Sequence, residues 1–419
     1  MKKHICLFVL LGIFSLTEIF SAPFVFGYNE DFSVKVNVPK TSSEILKKAK
    51  KMDTTMTALE LTEKMGNGIN LGNTHEAYRG WKSKTNQPVE RYETIWGQPK
   101  TNKAIFEAYK AAGFDSVRIP VAWTNMMNYE KGDYTINPAL LDRIEEVVNY
   151  ALDSDLYVII NDHWDGQWWG MFGSQNPDDR KEAVKLYKSM WTQIANRFKN
   201  YDEHLIFEGG NEEIGGRLND DTAISKGKKG NLSEFELYQA ANKINQCFVD
   251  VVRGTGGNNK NRFLLIPGYD TDIFRTCQDD FKMPEDKVQN RLLISVHYYT
   301  PSTYCIINED VIWGKNKTSW GTKQDVKLMN DNFSRMKKFT DKGYGVIIGE
   351  YGVTREKNGT TKDGTVDWMA NVLDNCDKFN YCPMLWDCNT FFKKTGKMGF
   401  DNPEMSELYL NRQPAPEIN

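Results

Sequence analysis

The sequence predicts an α/β fold, a single-domain (β/α)8 TIM barrel with elaborated loops after its strands. Three observations predict it. Short apolar runs alternate with amphipathic helical segments along most of the chain. Runs such as Val158-Ile159-Ile160 and Val346-Ile347-Ile348 are continuously apolar, as parallel strands covered on both faces should be. Eight such units occur, and no GxGxxG opens the first helix, so a closed barrel is favoured over an open dinucleotide-binding sheet.

The elements follow in order. A short helix starts at Thr57-Ala58-Leu59-Glu60-Leu61 and stops near Gly66. Strands are expected at 68–71, 116–120, 157–161, 205–208, 263–266, 292–297, 345–349 and 384–386. Amphipathic helices separate them at 102–112, 140–153, 180–198, 233–252, 325–341 and 366–379. Ahead of the barrel, Met1-Lys2-Lys3-His4 and the apolar run from Ile5 to Leu16 read as an export signal. Glu18 interrupts that run, which is too short for a membrane span. The expected organisation is therefore a signal peptide over 1–27, a tether or base-lying segment over 28–53, and a catalytic domain over 54–419. An exported protein, released or kept at the cell envelope, is the expectation.

Composition narrows the function. The chain has 419 residues, 40% hydrophobic and 26% charged, which suits a soluble globular protein with a large core. A net charge of −3 offers no basic footprint for nucleic acid. Eleven Trp and 19 Tyr are many, and several sit in Gly- or Asn-rich loops, where flat ring faces suit sugars. Beyond the export segment there are six cysteines, whose spacing matches no zinc site and which are expected to be free and packed. No cofactor or metal is expected, and a monomer is.

In a barrel the chemistry sits at the C-terminal ends of strands. Strand two ends in Arg118-Ile119-Pro120, followed by Trp123, and strand three in Asn161-Asp162-His163-Trp164-Asp165. Strand four runs into Glu208-Gly209-Gly210-Asn211-Glu212. Strand six ends in His297-Tyr298-Tyr299, strand seven in Glu350-Tyr351-Gly352, and strand eight in Trp386-Asp387. Two carboxylates across a barrel mouth are what glycoside hydrolysis needs: one protonates the leaving oxygen, the other attacks the anomeric carbon or activates water. Glu212 and Glu350 fit those roles. Asn211 is placed to donate to a sugar 2-hydroxyl. Arg118 near Glu350 would hold that carboxylate ionised, and Tyr299 would donate to it. His163 and His297 would orient substrate or tune the acid. Asn73, His75, Trp123 and Trp386 are the expected sugar contacts, and Trp81, Trp96, Trp168, Trp169, Trp313 and Trp320 also follow strands and are candidates for the cleft wall.

The motifs resemble glycoside hydrolase family five, the large cellulase family, and within it the fourth subfamily of endo-β-1,4-glucanases, many of which act on xyloglucan. The matching stretches run from Met65-Gly66-Asn67-Gly68-Ile69-Asn70-Leu71-Gly72-Asn73-Thr74 through Ser116-Val117-Arg118-Ile119-Pro120-Val121 to Leu205-Ile206-Phe207-Glu208. Further on come Ser295-Val296-His297-Tyr298-Tyr299-Thr300-Pro301, Gly349-Glu350-Tyr351-Gly352 and Trp386. The resemblance covers roughly residues 55–410. It implies that Glu212 is the general acid/base, that Glu350 is the nucleophile, and that Arg118, His163, Asn211, His297, Tyr299 and Trp386 complete the site. It also implies retention of anomeric configuration without a metal, which requires carboxyl groups about 5–5.5 Å apart.

The chain departs from that pattern twice. Asn211-Glu212-Glu213 stands where the family usually has Asn-Glu-Pro, and His163-Trp164 where it usually has paired histidines. An inward Glu213 would raise the pKa of Glu212, and an outward one would do nothing. Trp164 would supply a stacking platform in place of an imidazole. The implied function is a retaining endo-β-1,4-glucanase on plant cell-wall type β-glucan: xyloglucan, cellulose-type or mixed-linkage glucan. The alternatives are an endo-β-1,4-mannanase on the same barrel or a non-catalytic glycan-binding barrel.

Overall fold

The computed structural model describes residues 27–36, 51–78, 88–129, 132–163, 165, 168–221 and 229–412. The expected signal peptide, Trp81 and Trp164 fall outside these residues.

Eight parallel strands close into a barrel. They are β1 (Gly68–Asn70), β2 (Ser116–Ile119), β3 (Tyr157–Asn161), β4 (Leu205–Glu208), β5 (Leu264–Asp272), β6 (Leu292–Tyr298), β7 (Gly345–Tyr351) and β8 (Tyr381–Leu385). Neighbours in the barrel are neighbours in sequence, and β8 closes on β1 with Gly68 opposite Met384. The main helices are α1 (Ala58–Met65), α2 (Lys103–Ala111), α3 (Pro138–Leu152), α4 (Pro177–Arg197), α5 (Glu234–Gly254), α6 (Lys323–Arg335), α7 (Thr365–Phe379) and α8 (Pro403–Leu410). The unit after β5 has only a single turn, Ile273–Thr276.

Local chemistry sets the helix starts. Thr57 with Glu60, Ser233 with Glu236 and Thr322 with Asp325 form reciprocal capping boxes that satisfy free N–H groups at α1, α5 and α6. Pro138, Pro177 and Pro403 open α3, α4 and α8, where a missing N–H costs nothing.

Both faces of the strands are covered. Ile159, Ile206, Leu265, Leu293 and Ile347 point into the barrel, where Leu61 and Met65 of α1 plug the base. Their neighbours Val158, Ile160, Leu205, Phe207, Ile294 and Ile348 point out to the helices. The two-residue period then carries the inward series from apolar to polar toward the mouth: Ile159 gives way to Asn161, and Ile206 to Glu208. That switch places the site.

Three expectations shift. The last strand begins at Tyr381 rather than 384, and the helix expected over 325–341 breaks into α6 and a separate turn, Lys337–Thr340. The segment 28–36 lies on the outer helices and not on the base: Gln239 of α5 accepts from the Tyr28 N–H at 2.8 Å, and Arg180 of α4 donates to Glu30 at 2.8 Å. Among the described residues, Asp53 is tied to the start of β6: its carbonyl accepts from Arg291 at 2.7 Å. The cysteines Cys247, Cys277, Cys305, Cys376, Cys382 and Cys388 are all free. Among the described residues no helix is long and apolar enough to cross a membrane.

Candidate active site

The polar ends of seven strands converge at one mouth, and Arg118 is their hub. It is fully buried on β2. Its Nε donates to Glu208 at 2.6 Å, and its Nη1 donates to Asn70 and to Glu350, both at 3.0 Å. Its Nη2 donates to the Asn211 side-chain oxygen at 2.8 Å. That last bond fixes the Asn211 amide with its oxygen inward, leaving its NH2 as the donor for a ligand. Burial works against the Arg118 charge, but Glu208 and Glu350 outweigh it, so the guanidinium stays protonated.

Glu350 receives two donors. Arg118 binds one oxygen, and the Tyr299 hydroxyl donates to the other at 2.9 Å. His163 Nε2 stands 3.9 Å from Glu350. Its ring stacks on Trp386 with centroids 5.6 Å apart and planes 9° from parallel. Burial, then Arg118 and His297, holds the His163 imidazole well below its ordinary pKa, so it is neutral. Gly349 makes room for this packing: a Cβ there would lie 2.6 Å from the Ser295 hydroxyl and 3.1 Å from the His297 ring. A register shift between Val296 and His297 sets His297 beside Glu350.

Glu212 sits opposite, on the loop after β4. His297 Nδ1 lies 2.9 Å from Glu212 and 3.6 Å from Glu350. One oxygen of each glutamate and that ring nitrogen all lie within 4.8 Å of one another. The environments differ: the Glu212 side chain is 35% exposed to the cleft and that of Glu350 only 7%. Burial raises the Glu350 pKa against the pull of His297 and Arg118, and its neighbour Glu212 raises it further. Burial also pushes Glu212 up, but the hydrogen bond and charge of His297 outweigh it and leave Glu212 below the usual range in the open site.

Two carboxyls this close suit a displacement in which one attacks and the other transfers a proton. A water-activating pair needs about 6.5–9.5 Å instead. The positive charge beside Glu350 comes from the Arg118 guanidinium already bonded to it.

The cellulase (glycosyl hydrolase family 5) model matches residues 82–391. The chain belongs to glycoside hydrolase family 5. Family 5 enzymes hydrolyse glycosidic bonds with retention, using two glutamates, and the chain is a glycosyl hydrolase whose relatives include endoglucanases and a xyloglucanase. A xyloglucan-specific endo-β-1,4-glucanase of Bacteroides ovatus is 36% identical over 348 residues, 79% of this chain and 65% of that protein. The chain thus spans slightly less than two thirds of that relative's length. A solved subfamily-four broad-specificity endoglucanase of Ruminococcus champanellensis with bound cellotriose is 32% identical, with TM-score 0.71, covering 86% of this chain and 100% of that one. A family 5 lichenase from Caldicellulosiruptor with cellotetraose is 30% identical, with TM-score 0.73, covering 91% and 100%.

The structure gathers Arg118, His163, Asn211, Glu212, His297, Tyr299, Glu350 and Trp386 at this family 5 mouth; Asn73 follows Gly72, which packs against the Trp386 ring on the loop after β1. Two expected sugar contacts are corrected. Trp123 is fully buried, and its indole N–H donates to the Asn161 carbonyl at 2.7 Å. His75 is buried against Thr101 at 3.3 Å and Glu93 at 3.7 Å, and burial followed by Arg143 holds its pKa down at about 3. Of the other tryptophans, Trp168, Trp169 and Trp320 are core residues, and Trp313 is exposed. Glu208 and Asn70 are site residues that sequence reasoning passed over. Glu208 ended a predicted strand and Asn70 stood one residue before the end of another, which was the available signal.

Proposed function

We propose that the protein is an exported, monomeric, retaining endo-β-1,4-glucanase in which Glu212 is the general acid/base and Glu350 the nucleophile, acting on xyloglucan and on unsubstituted or mixed-linkage glucan. The observation that carries the reading is the 4.8 Å grouping of Glu212, His297 and Glu350, with Arg118 and Tyr299 both donating to Glu350. Those two donors favour negative charge on Glu350. A glucan lying in the cleft covers the exposed part of Glu212, removes its water and pushes its pKa up. Neutral Glu212 then protonates the glycosidic oxygen as Glu350 attacks the anomeric carbon. That transfer leaves Glu212 a carboxylate, and forming the glycosyl ester removes the Glu350 charge that opposed it; Glu212 then takes a proton from the water that attacks the anomeric carbon, which releases the sugar and restores the Glu350 carboxylate. The Asn211 NH2 donates to the 2-hydroxyl, and Trp386 and Asn73 meet the sugar at the mouth.

Xyloglucan comes from the Bacteroides relative's specificity, and the unsubstituted glucans from the cellotriose and cellotetraose complexes of the two solved neighbours. Reducing-end release from xyloglucan, carboxymethyl cellulose, mixed-linkage β-glucan and mannan, with Glu350→Gln alongside, tests the reading. Glucan activity that disappears in the variant is expected. Mannan as the sole substrate, or binding with no hydrolysis, contradicts it.

A further inference from the structure

Glu213 follows Glu212 directly, yet its side chain is buried where that of Glu212 is partly open. It is 3% exposed, and neither carboxyl oxygen has a hydrogen-bond partner among the described residues. Asp162, at the end of β3, is fully buried in the same condition. Asp165 is held nearby by the Thr124 N–H at 2.8 Å and by the Thr124 hydroxyl. The groups that act on Glu213 come from three loops: Glu212 and Arg217 from its own, Asp162 and Asp165 from the loop after β3, and Tyr78 from the loop after β1.

A buried carboxylate with no donor is far costlier than a buried carboxylic acid. Burial first, and then the charge of Glu212, pushes Glu213 up to about 8. Burial and the charge of Asp165 push Asp162 up as well. At neutral pH Glu213 is therefore an uncharged acid packed behind the residue that transfers protons. Ionising it sets a new negative charge near Glu212 and two aspartates at a buried position. The carboxylate must then leave the pocket, and the loop carrying Asn211 and Glu212 shifts with it.

We propose that Glu213 is a positioning residue for Glu212: its protonated side chain locks the loop bearing Asn211 and Glu212, and its ionisation sets the alkaline limit of activity. This rests on Glu212 being the acid/base. The experiment compares wild type with Glu213→Gln, an uncharged near-isostere, and Glu213→Leu, which also cannot ionise. Two profiles are recorded: kcat/KM against pH, each scaled to its own optimum, and thermal midpoint against pH. The folded pKa lies above the unfolded value, so this contribution to stability is full below about 4.5 and lost as pH rises through about 8. In both variants the alkaline limb of activity should move up by about one pH unit, and the fall in thermal midpoint between about pH 4.5 and 8 should flatten. Profiles that superimpose on wild type overturn the proposal. The melting profile does not depend on catalysis, so it reads Glu213 even if the Glu212 assignment fails. Glu212→Gln, run on the polysaccharide and on an aryl cellobioside whose leaving group needs no proton, tests that assignment separately.

Discussion

Arg118 holds Glu208 at 2.6 Å through Nε while its Nη1 holds Glu350 at 3.0 Å, so one guanidinium binds two buried carboxylates on opposite sides of the barrel. The flat fork of donors makes this possible, and a lysine ammonium cannot copy it. Arg118→Lys should lose about 3–5 kcal/mol of stability, the scale for breaking a buried ion pair, and should cut kcat at least about a hundredfold. Thermal melts and initial rates on a glucan check both. A variant with unchanged melting and near-normal turnover would show that the hub does not matter.

Tyr299 donates to the second oxygen of Glu350 at 2.9 Å. A hydrogen bond to the ionised form lowers a carboxyl pKa, so its loss raises it. In Tyr299→Phe the acid limb of kcat/KM should therefore move to higher pH, by about one unit. A shift to lower pH, or none, would remove Tyr299 from the set that keeps Glu350 ionised.

Trp123 and Trp386 should separate cleanly. Trp386 faces the cleft on the His163 ring, and Trp123 is buried against Asn161. Trp386→Ala should raise KM about tenfold, equivalent to about 1.4 kcal/mol of binding, with little change in melting. Trp123→Phe leaves the Asn161 carbonyl without its indole donor and should cost about 1–3 kcal/mol of stability, with KM little changed. Melts and Michaelis curves on one substrate distinguish the two patterns.

Chelation should leave activity intact. The cation beside Glu350 is Arg118, fixed by the fold, and the proposed roles of the two glutamates call for no other. Assays after dialysis against EDTA, with and without added divalent ions, check this. A loss restored by metal would contradict the account.

How much was legible follows from what a sequence encodes. The strands were readable because both faces are buried, so Val158-Ile159-Ile160 carries no polar residue to confuse it. The start of β8 was not, because Pro383 sits inside it and argues against a strand over Tyr381-Cys382. The site residues were legible because strand ends in a barrel must face the mouth, whatever the loops do. Side-chain direction in loops was not: Trp123 and His75 follow strands as Trp386 does, but tertiary packing turns them inward. Glu213 belongs to the same class. It is buried among tertiary neighbours such as Asp162, which no local pattern specifies.

The central claim is that Glu350 forms the glycosyl bond while Glu212 moves the proton. The most direct measurement is intact-protein mass after incubation with a 2-deoxy-2-fluoro-cellobioside bearing a good leaving group, followed by peptide mapping. One added fluoro-cellobiosyl unit, mapped to Glu350 and absent in Glu350→Gln, is the predicted result. An adduct on Glu212, or no adduct in a protein that still hydrolyses glucan, would contradict it.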